Sequence, residues 1–161
     1  REWQLSTVQI DYVQPERFGL KYIDSDGKEK TPVMIHRAVV GSPERMLMIL
    51  LEHYAGAFPA WLAPVQVAVL PISEKHLGYA TKVTDSLKLV NIRCELDARS
   101  ESLGAKIRDA EMQKVPFILV MGDKEVEAGT VTVRARGHKE TEVYTIEKFK
   151  DAILDAIMNR K

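Results

Sequence analysis

The sequence predicts an α/β protein: a mixed, mostly parallel sheet flanked by helices, preceded by a segment of antiparallel strands and one helix. Three observations lead there. Two near-continuous apolar runs, Val65–Ile72 and Phe117–Met121, bracket a third strand pattern at Ile92–Asp97. Helical periodicity fills 74–90 and 101–114 between them. Apolar runs of this kind mark strands buried on both faces, and β-α-β-α-β order implies parallel strands joined by right-handed crossovers. Before Pro64 the rhythm differs: apolar and polar residues alternate, and Asp26-Gly27 is a hairpin signal.

Taken in order, Trp3–Tyr12 is β-branched, aromatic and nearly alternating, which predicts a strand. A loop through Pro15 and Gly19 follows. Leu20–Ile23 and Thr31–His36 then flank Asp24-Ser25-Asp26-Gly27, so three antiparallel strands are expected. The last of them breaks at Gly41-Ser42-Pro43. Ser42 is a good N-cap, Pro43 suits a first helical position where no N–H is needed, and Glu44 favours the positive end of the dipole. Met46, Leu47, Ile49, Leu50, Leu51 and Tyr54 supply an apolar helix face that stops at Gly56. Phe58–Pro64 reads as a short, stiff connector, and the domain boundary is expected there, dividing 1–62 from 63–161. Beyond the parallel strands, Thr130–Arg136 alternates strictly, as an exposed strand should. Gly137-His138 and their charged neighbours turn it toward Val143-Tyr144. Ile146, Phe149, Ile153, Leu154 and Ile157 share one face of a final helix over roughly 146–160.

Composition narrows the function. At 161 residues, with 45% apolar and 29% charged side chains, the chain can bury a real core. The 23 basic and 23 acidic residues cancel, so no global field attracts a polyanion and any nucleic-acid surface is local. The single cysteine, Cys94, excludes an internal disulfide and a multi-cysteine metal cluster, and it fits a reducing cytoplasm. No apolar run approaches the roughly 20 residues of a membrane span. The chain starts without a Met at Arg1-Glu2-Trp3-Gln4, which resembles no signal peptide, and is expected to be a piece of a longer parent. No Gly-rich phosphate loop follows Val65–Ile72, which argues against a small-molecule-binding α/β domain.

A handful of side chains carry chemistry. His36 on a strand is either a packed histidine or a metal ligand; zinc needs three or four ligands, and no cysteine or second histidine stands near it in sequence. Arg45 sits in a first helical turn, where the dipole disfavours a cation, so it is either a solvated charge or the clamp of a bound anion. The stretch Asp97–Arg108 follows a strand, where open parallel sheets bind ligands. Arg99, Ser100, Lys106 and Arg108 can contact phosphates or base edges, although a solvated helix face is the better reading for Lys106. Gly122-Asp123-Lys124-Glu125 follows another buried strand. Arg134 and Arg136 share a strand face, and Glu125, an acceptor only, can read a base edge together with Arg134 in single-stranded RNA.

Several long stretches carry a resemblance. Arg1–Asp11 (REWQLSTVQID), Pro32–Ala38 (PVMIHRA) with Gly41–Arg45 (GSPER), Phe58–Val67 (FPAWLAPVQV) and Gly122–Val126 (GDKEV) occur in one order. Together they resemble the C-terminal portion of the bacterial-type threonyl-tRNA synthetase family: the end of a class II catalytic domain with its third signature motif, then an anticodon-binding domain like that of prolyl, histidyl and glycyl synthetases. The resemblance implies that His36 is one ligand of an active-site Zn2+ that grips the amino group and hydroxyl of threonine and so rejects valine. It implies that Arg45 clamps the triphosphate of ATP, used with Mg2+, that Gln4 and Thr7 line the adenylate pocket, and that Gln9 faces threonine. Ser100, Arg108, Glu125 and Arg134 fall at positions that contact anticodon bases of tRNA(Thr). Ser100 stands where the family is expected to carry asparagine, and Leu5 where it is expected to carry cysteine.

The parent implied is a cytoplasmic, homodimeric ligase that binds no membrane. The other zinc ligands, class II motifs one and two, and any editing domain are expected upstream of Arg1, so the 161-residue chain alone is expected neither to activate threonine nor to hold zinc tightly. The alternative is a non-catalytic, anticodon-domain-like RNA-binding or accessory protein. Retention of both His36 and Arg45 argues against it.

Overall fold

A computed structural model describes residues 2–138 and 140–160. Arg1, Lys161 and Lys139, one of the charged neighbours in the turn after His138, lie outside the described residues. The chain forms two compact units, Arg1–His53 and Tyr54–Lys161. No described helix is long and apolar enough to cross a membrane.

The first unit is built from two separate ribbons and one long helix. Strands β1 (Thr7–Asp11) and β4 (Met34–Ala38) pair antiparallel; α1 (Val13–Arg17), β2 (Tyr22–Ile23) and β3 (Glu29–Lys30) lie between them in sequence, and β2 pairs with β3. The expected three-stranded sheet is therefore corrected to two two-stranded ones. Pro32 explains the split: without an N–H it cannot continue a ladder, so the segment from Glu29 to His36 divides around it. The Asp-Gly signal held, with Gly27 at φ +76° turning β2 into β3. The expected loop through Pro15 instead contains the short helix α1. Asp11 starts it, its Oδ1 accepting from the amides of Val13 (2.8 Å) and Gln14 (3.0 Å). Helix α2 (Pro43–Tyr54) begins as expected: the Arg45 amide donates to Ser42 Oγ at 3.2 Å, an N-cap contact, and Pro43 is the first helical residue. The chain leaves it through two left-handed residues, Ala55 and Gly56, at φ 48° and 77°.

The second unit is a five-stranded sheet in the order β6-β5-β7-β8-β9. Its strands are β5 (Val67–Pro71), β6 (Cys94–Leu96), β7 (Phe117–Met121), β8 (Thr130–Ala135) and β9 (Thr141–Thr145). As the crossover pattern requires, β5 runs parallel to β6 and β7, joined through α3 (Leu77–Lys88) and α4 (Leu103–Met112). A 3-10 turn at Glu74–His76 opens α3, so the helix expected from 74 starts three residues later. Strands β8 and β9 add antiparallel, joined to β7 by the six-residue helix α5 (Asp123–Ala128), and α6 (Ile146–Met158) closes the chain.

Both faces are covered at the centre of the sheet, which is why β5 reads as an unbroken apolar run. On one face Val67, Val69, Leu119, Met121, Val131 and Val133 pack with Ala80, Val83 and Leu87 of α3 and with Phe149 and Ile153 of α6. On the other, Ala68, Leu70, Ile118 and Val120 pack with Ala110 of α4. Strand β8 is not the exposed strand its alternation suggested: Val131 and Val133 are buried and only its other face is open.

The segment from Ala55 to Ala63 is strapped to this unit through its backbone carbonyls. Gln66 Nε2 donates to Ala60 O at 2.8 Å, Arg93 donates to Ala63 O and Trp61 O at 3.0 Å each, and Lys114 Nζ donates to Ala55 O. Arg136 was expected on one strand face with Arg134. That placement is corrected: β8 ends at Ala135, and the Arg136 guanidinium turns to the carbonyls of Ala57 (3.0 Å), Phe58 (2.7 Å) and Lys114.

Candidate functional site

Two groups of side chains, one in each unit, hold the residues the sequence singles out. In the first, pairing sets the geometry, because residues directly opposite in an antiparallel pair project from the same face. Gln9 faces His36, Thr7 faces Ala38 and Asp11 faces Met34, so Thr7, Gln9, Asp11 and His36 share one face of the β1–β4 ribbon. Val8, Ile10 and Ile35 occupy the other face and are exposed. Arg45 Nη1 donates to Gln4 O at 2.7 Å, and Gln4 Nε2 donates to Thr7 Oγ1 at 2.7 Å. The Gly41 amide donates to Leu5 O at 2.7 Å, which holds the turn before α2 against the entry to β1. Gln4, Thr7, Gln9, His36 and Arg45 are thus brought together, with Arg45 joined through Gln4 to the polar face.

Asp11 is the residue that sequence reading missed. Its Oδ2 lies 3.1 Å from His36 Nε2. The Gln14 amide above all, with His36 and the Val13 amide adding to it, outweighs burial and holds its carboxyl below the usual range. An ionised Asp11 is a hydrogen-bond acceptor for Nε2–H, and the contact fixes the orientation of the ring. Its sequence signal was its two-residue spacing from Gln9 on the same strand face. His36 and Asp11 do not by themselves make a metal centre: among the described residues no three His, Cys, Asp or Glu converge on one point, and a zinc site needs three or four ligands.

The second group lies on the face of β8 opposite Val131 and Val133. Thr132 and Arg134 project there, two residues apart. Thr132 Oγ1 donates to Glu125 Oε1 at 2.7 Å, and the Gly122 amide donates to Glu125 Oε2 at 2.8 Å, so Glu125 both caps α5 and ties it to β8. Arg134 Nη2 donates to Glu111 Oε1 at 3.3 Å, while its buried Nε has no partner. Arg108, exposed on α4, precedes Glu111 by three residues, the spacing of neighbours on a helix surface. Glu125, Arg134 and Arg108 are therefore on one side of the sheet. Ser100 stands apart, exposed in the loop after β6, where it lines a cavity with Lys106. The reading of Lys106 as a solvated residue is corrected: it is 3% exposed.

Burial alone would raise the Glu125 pKa, but the Thr132 hydroxyl and the Gly122 amide outweigh it and hold the carboxyl below its ordinary value. A carboxyl depressed in the folded chain contributes stability that is present above the unfolded pKa and is lost as pH falls through the folded one. Urea midpoints measured from neutral to acid pH are expected to drop less steeply in Glu125→Gln than in the unmodified chain below the ordinary glutamate range. Parallel curves would show that the depressed carboxyl contributes nothing.

The fold is an α/β unit with a mixed five-stranded sheet, preceded by a unit of two antiparallel ribbons and a helix. The anticodon binding domain family is matched over residues 66–156, and the chain belongs to that family. The tRNA synthetase class II core domain (G, H, P, S and T) is matched over residues 1–54.

Threonine–tRNA ligases are similar over almost the whole chain. That of Acidobacterium capsulatum is 54% identical over 149 residues, 92% of this chain and 22% of the relative. That of Clostridium botulinum is 50% identical over 160 residues, 99% of this chain and 25% of the relative. The chain thus spans about a quarter of these curated relatives. Among solved structures, the RNA binding domain of threonyl-tRNA synthetase from Cryptosporidium parvum matches with a TM-score of 0.88 and 35% identity, covering 97% of this chain and 40% of that one.

Proposed function

We propose that the chain is part of a threonine–tRNA ligase that activates threonine with ATP and Mg2+ and transfers it to tRNA(Thr). In this reading residues 1–62 supply the motif-three wall of the active site and residues 63–161 read the anticodon. The observation that carries it is the placement of Glu125, bonded to Thr132, and Arg134 at one face of β8, with Arg108 exposed on the helix that covers that side: an acceptor and two cations, suited to base edges and phosphates of a single strand.

In the first unit Arg45, tied to Gln4 O, is free to turn its remaining donors to a phosphate. Gln4 and Thr7 line the adenylate pocket and Gln9 faces the threonine. His36, oriented by Asp11, contributes one imidazole to a zinc ion whose other ligands lie outside this chain. The parent acts as a cytoplasmic homodimer.

The test is a titration of the 161-residue chain with fluorescent anticodon stem-loops. Preference for a threonine anticodon over others supports the reading, and sequence-blind binding favours an accessory RNA-binding protein. The same chain is expected to show no ATP–pyrophosphate exchange above background and to lose zinc on dialysis. Exchange activity, or one tightly retained zinc per chain, would sink the assignment of the missing parts to other segments.

A further inference from the structure

Lys106 is the one lysine of α4, and helical spacing puts it with Leu103, Ile107 and Ala110 on the inner face. Its ammonium has three hydrogens to donate. Two go to backbone carbonyls at the carboxyl ends of neighbouring parallel strands, Pro71 O of β5 at 3.2 Å and Asp97 O beyond β6 at 3.1 Å. Among the described residues no carboxylate makes an ion pair with it, because Asp97 is taken by Arg99, which grips it at 2.9 and 2.7 Å. The third hydrogen is unclaimed.

A buried ammonium between two neutral carbonyls is costly to keep, and a methionine would fill the same space without the charge. Lys106 also lines a cavity of about 480 Å3 between the loop after β5 and the loop after β6, walled by Ile72, Ser73, Ala98, Arg99 and Ser100. Its volume is that of a small-ligand site, about 300–1,000 Å3, at the strand ends where open α/β sheets take ligands. Glu74 and Glu101 on its rim offset Arg99, so the charge balance suits an uncharged base edge better than a phosphate.

The geometry points to Lys106 as a specificity-determining residue that donates its third ammonium hydrogen to a carbonyl oxygen of one unstacked RNA base seated in this cavity. This rests on the RNA-reading function proposed above. The clamp on Pro71 O and Asp97 O fixes the donor relative to both loops, so a base lacking a carbonyl at that point leaves the ammonium without its third partner.

The experiment pairs Lys106→Met, which keeps volume and removes charge, with stem-loops made abasic at one anticodon position at a time. Affinities are read by fluorescence anisotropy. The unmodified chain is expected to lose about tenfold or more at one abasic position. Lys106→Met should already have lost that amount with the intact loop and be indifferent to removal of that base alone, while staying sensitive at the others. Equal weakening by Lys106→Met at every position, or none at any, would overturn the proposal.

Circular dichroism checks that the variant folds. Should it not, Lys106→Arg, which keeps a buried cation with a different reach, enters the same cycle and must show its coupling at the same single position; no coupling there counts against the proposal. If the unmodified chain ignores anticodon sequence altogether, the RNA reading falls and this inference with it. If it discriminates but no coupling appears, only the role of Lys106 is lost.

Discussion

Arg134→Ala is expected to erase most of the chain's preference among anticodon stem-loops while leaving its melting temperature nearly unchanged. Arg134 is only half-buried, at 36% side-chain exposure, and its pairing with Glu111 is a long 3.3 Å contact at the surface, of a kind worth about 0–1 kcal/mol. Its Nε is buried without a partner, so truncation removes an unsatisfied donor along with the charge. Little stability is at stake. A base-edge contact by a guanidinium, in contrast, is worth about 1–3 kcal/mol of discrimination, roughly five- to 150-fold in relative affinity. Anisotropy titrations against cognate and non-cognate loops at two salt concentrations separate the possibilities. Loss confined to the cognate loop, with the salt slope kept, marks base reading; a uniform loss with a shallower slope marks a phosphate contact and defeats the prediction. Glu111→Ala serves as the control, since it frees Arg134 without removing it.

The largest expected effect on stability belongs to Gln66→Ala. Gln66 is 1% exposed. Its amide donates to Ala60 O and accepts from the Arg93 amide, both at 2.8 Å, while its own backbone N–H donates to Arg93 O at 2.7 Å. Truncation strands a buried carbonyl and a part-buried amide, each costing up to about 1–3 kcal/mol, and adds a small cavity. A loss of about 3 kcal/mol or more in urea unfolding is expected, against marginal total stabilities of about 5–15 kcal/mol. Amide exchange should show Ala60–Ala63 and Arg93 opening first. A loss below 1 kcal/mol would mean that water replaces both partners.

Much of this was legible in the sequence, for physical reasons that can be named. The parallel core announced itself because strands buried on both faces carry no polar alternation, and Val67–Pro71 is buried at every position. The start of α2 was legible because capping is local chemistry. Failures came where a tertiary partner decides.

Lys106 was read by residue type as solvated, although its spacing with Leu103, Ile107 and Ala110 already put it on the inner face. Only the two carbonyls that receive its ammonium make that position tolerable. Arg136 was placed on a strand by alternation, but three distant carbonyls end the strand one residue earlier. Asp11 went unnoticed because its importance lies in His36, 25 residues away. Helix α5 was invisible because six residues are too few to show a period; it exists through Glu125, which caps it, and Gly129, which ends it in the left-handed region at φ 67°.

The strapped segment has a practical meaning for anyone wishing to study the second unit by itself. A protein begun at Val65, two residues before β5, would discard the carbonyls of Ala55, Ala57, Phe58, Ala60, Trp61 and Ala63. Arg93 and Lys114 would then lose these acceptors beside a newly bared surface, while the side chain of Gln66 would keep only the Arg93 amide and that of Arg136 only Lys114 O. Begun at Tyr54, the same unit keeps every one of these bonds, along with the edge-to-face stacking of Tyr54 on Phe58 at 5.9 Å.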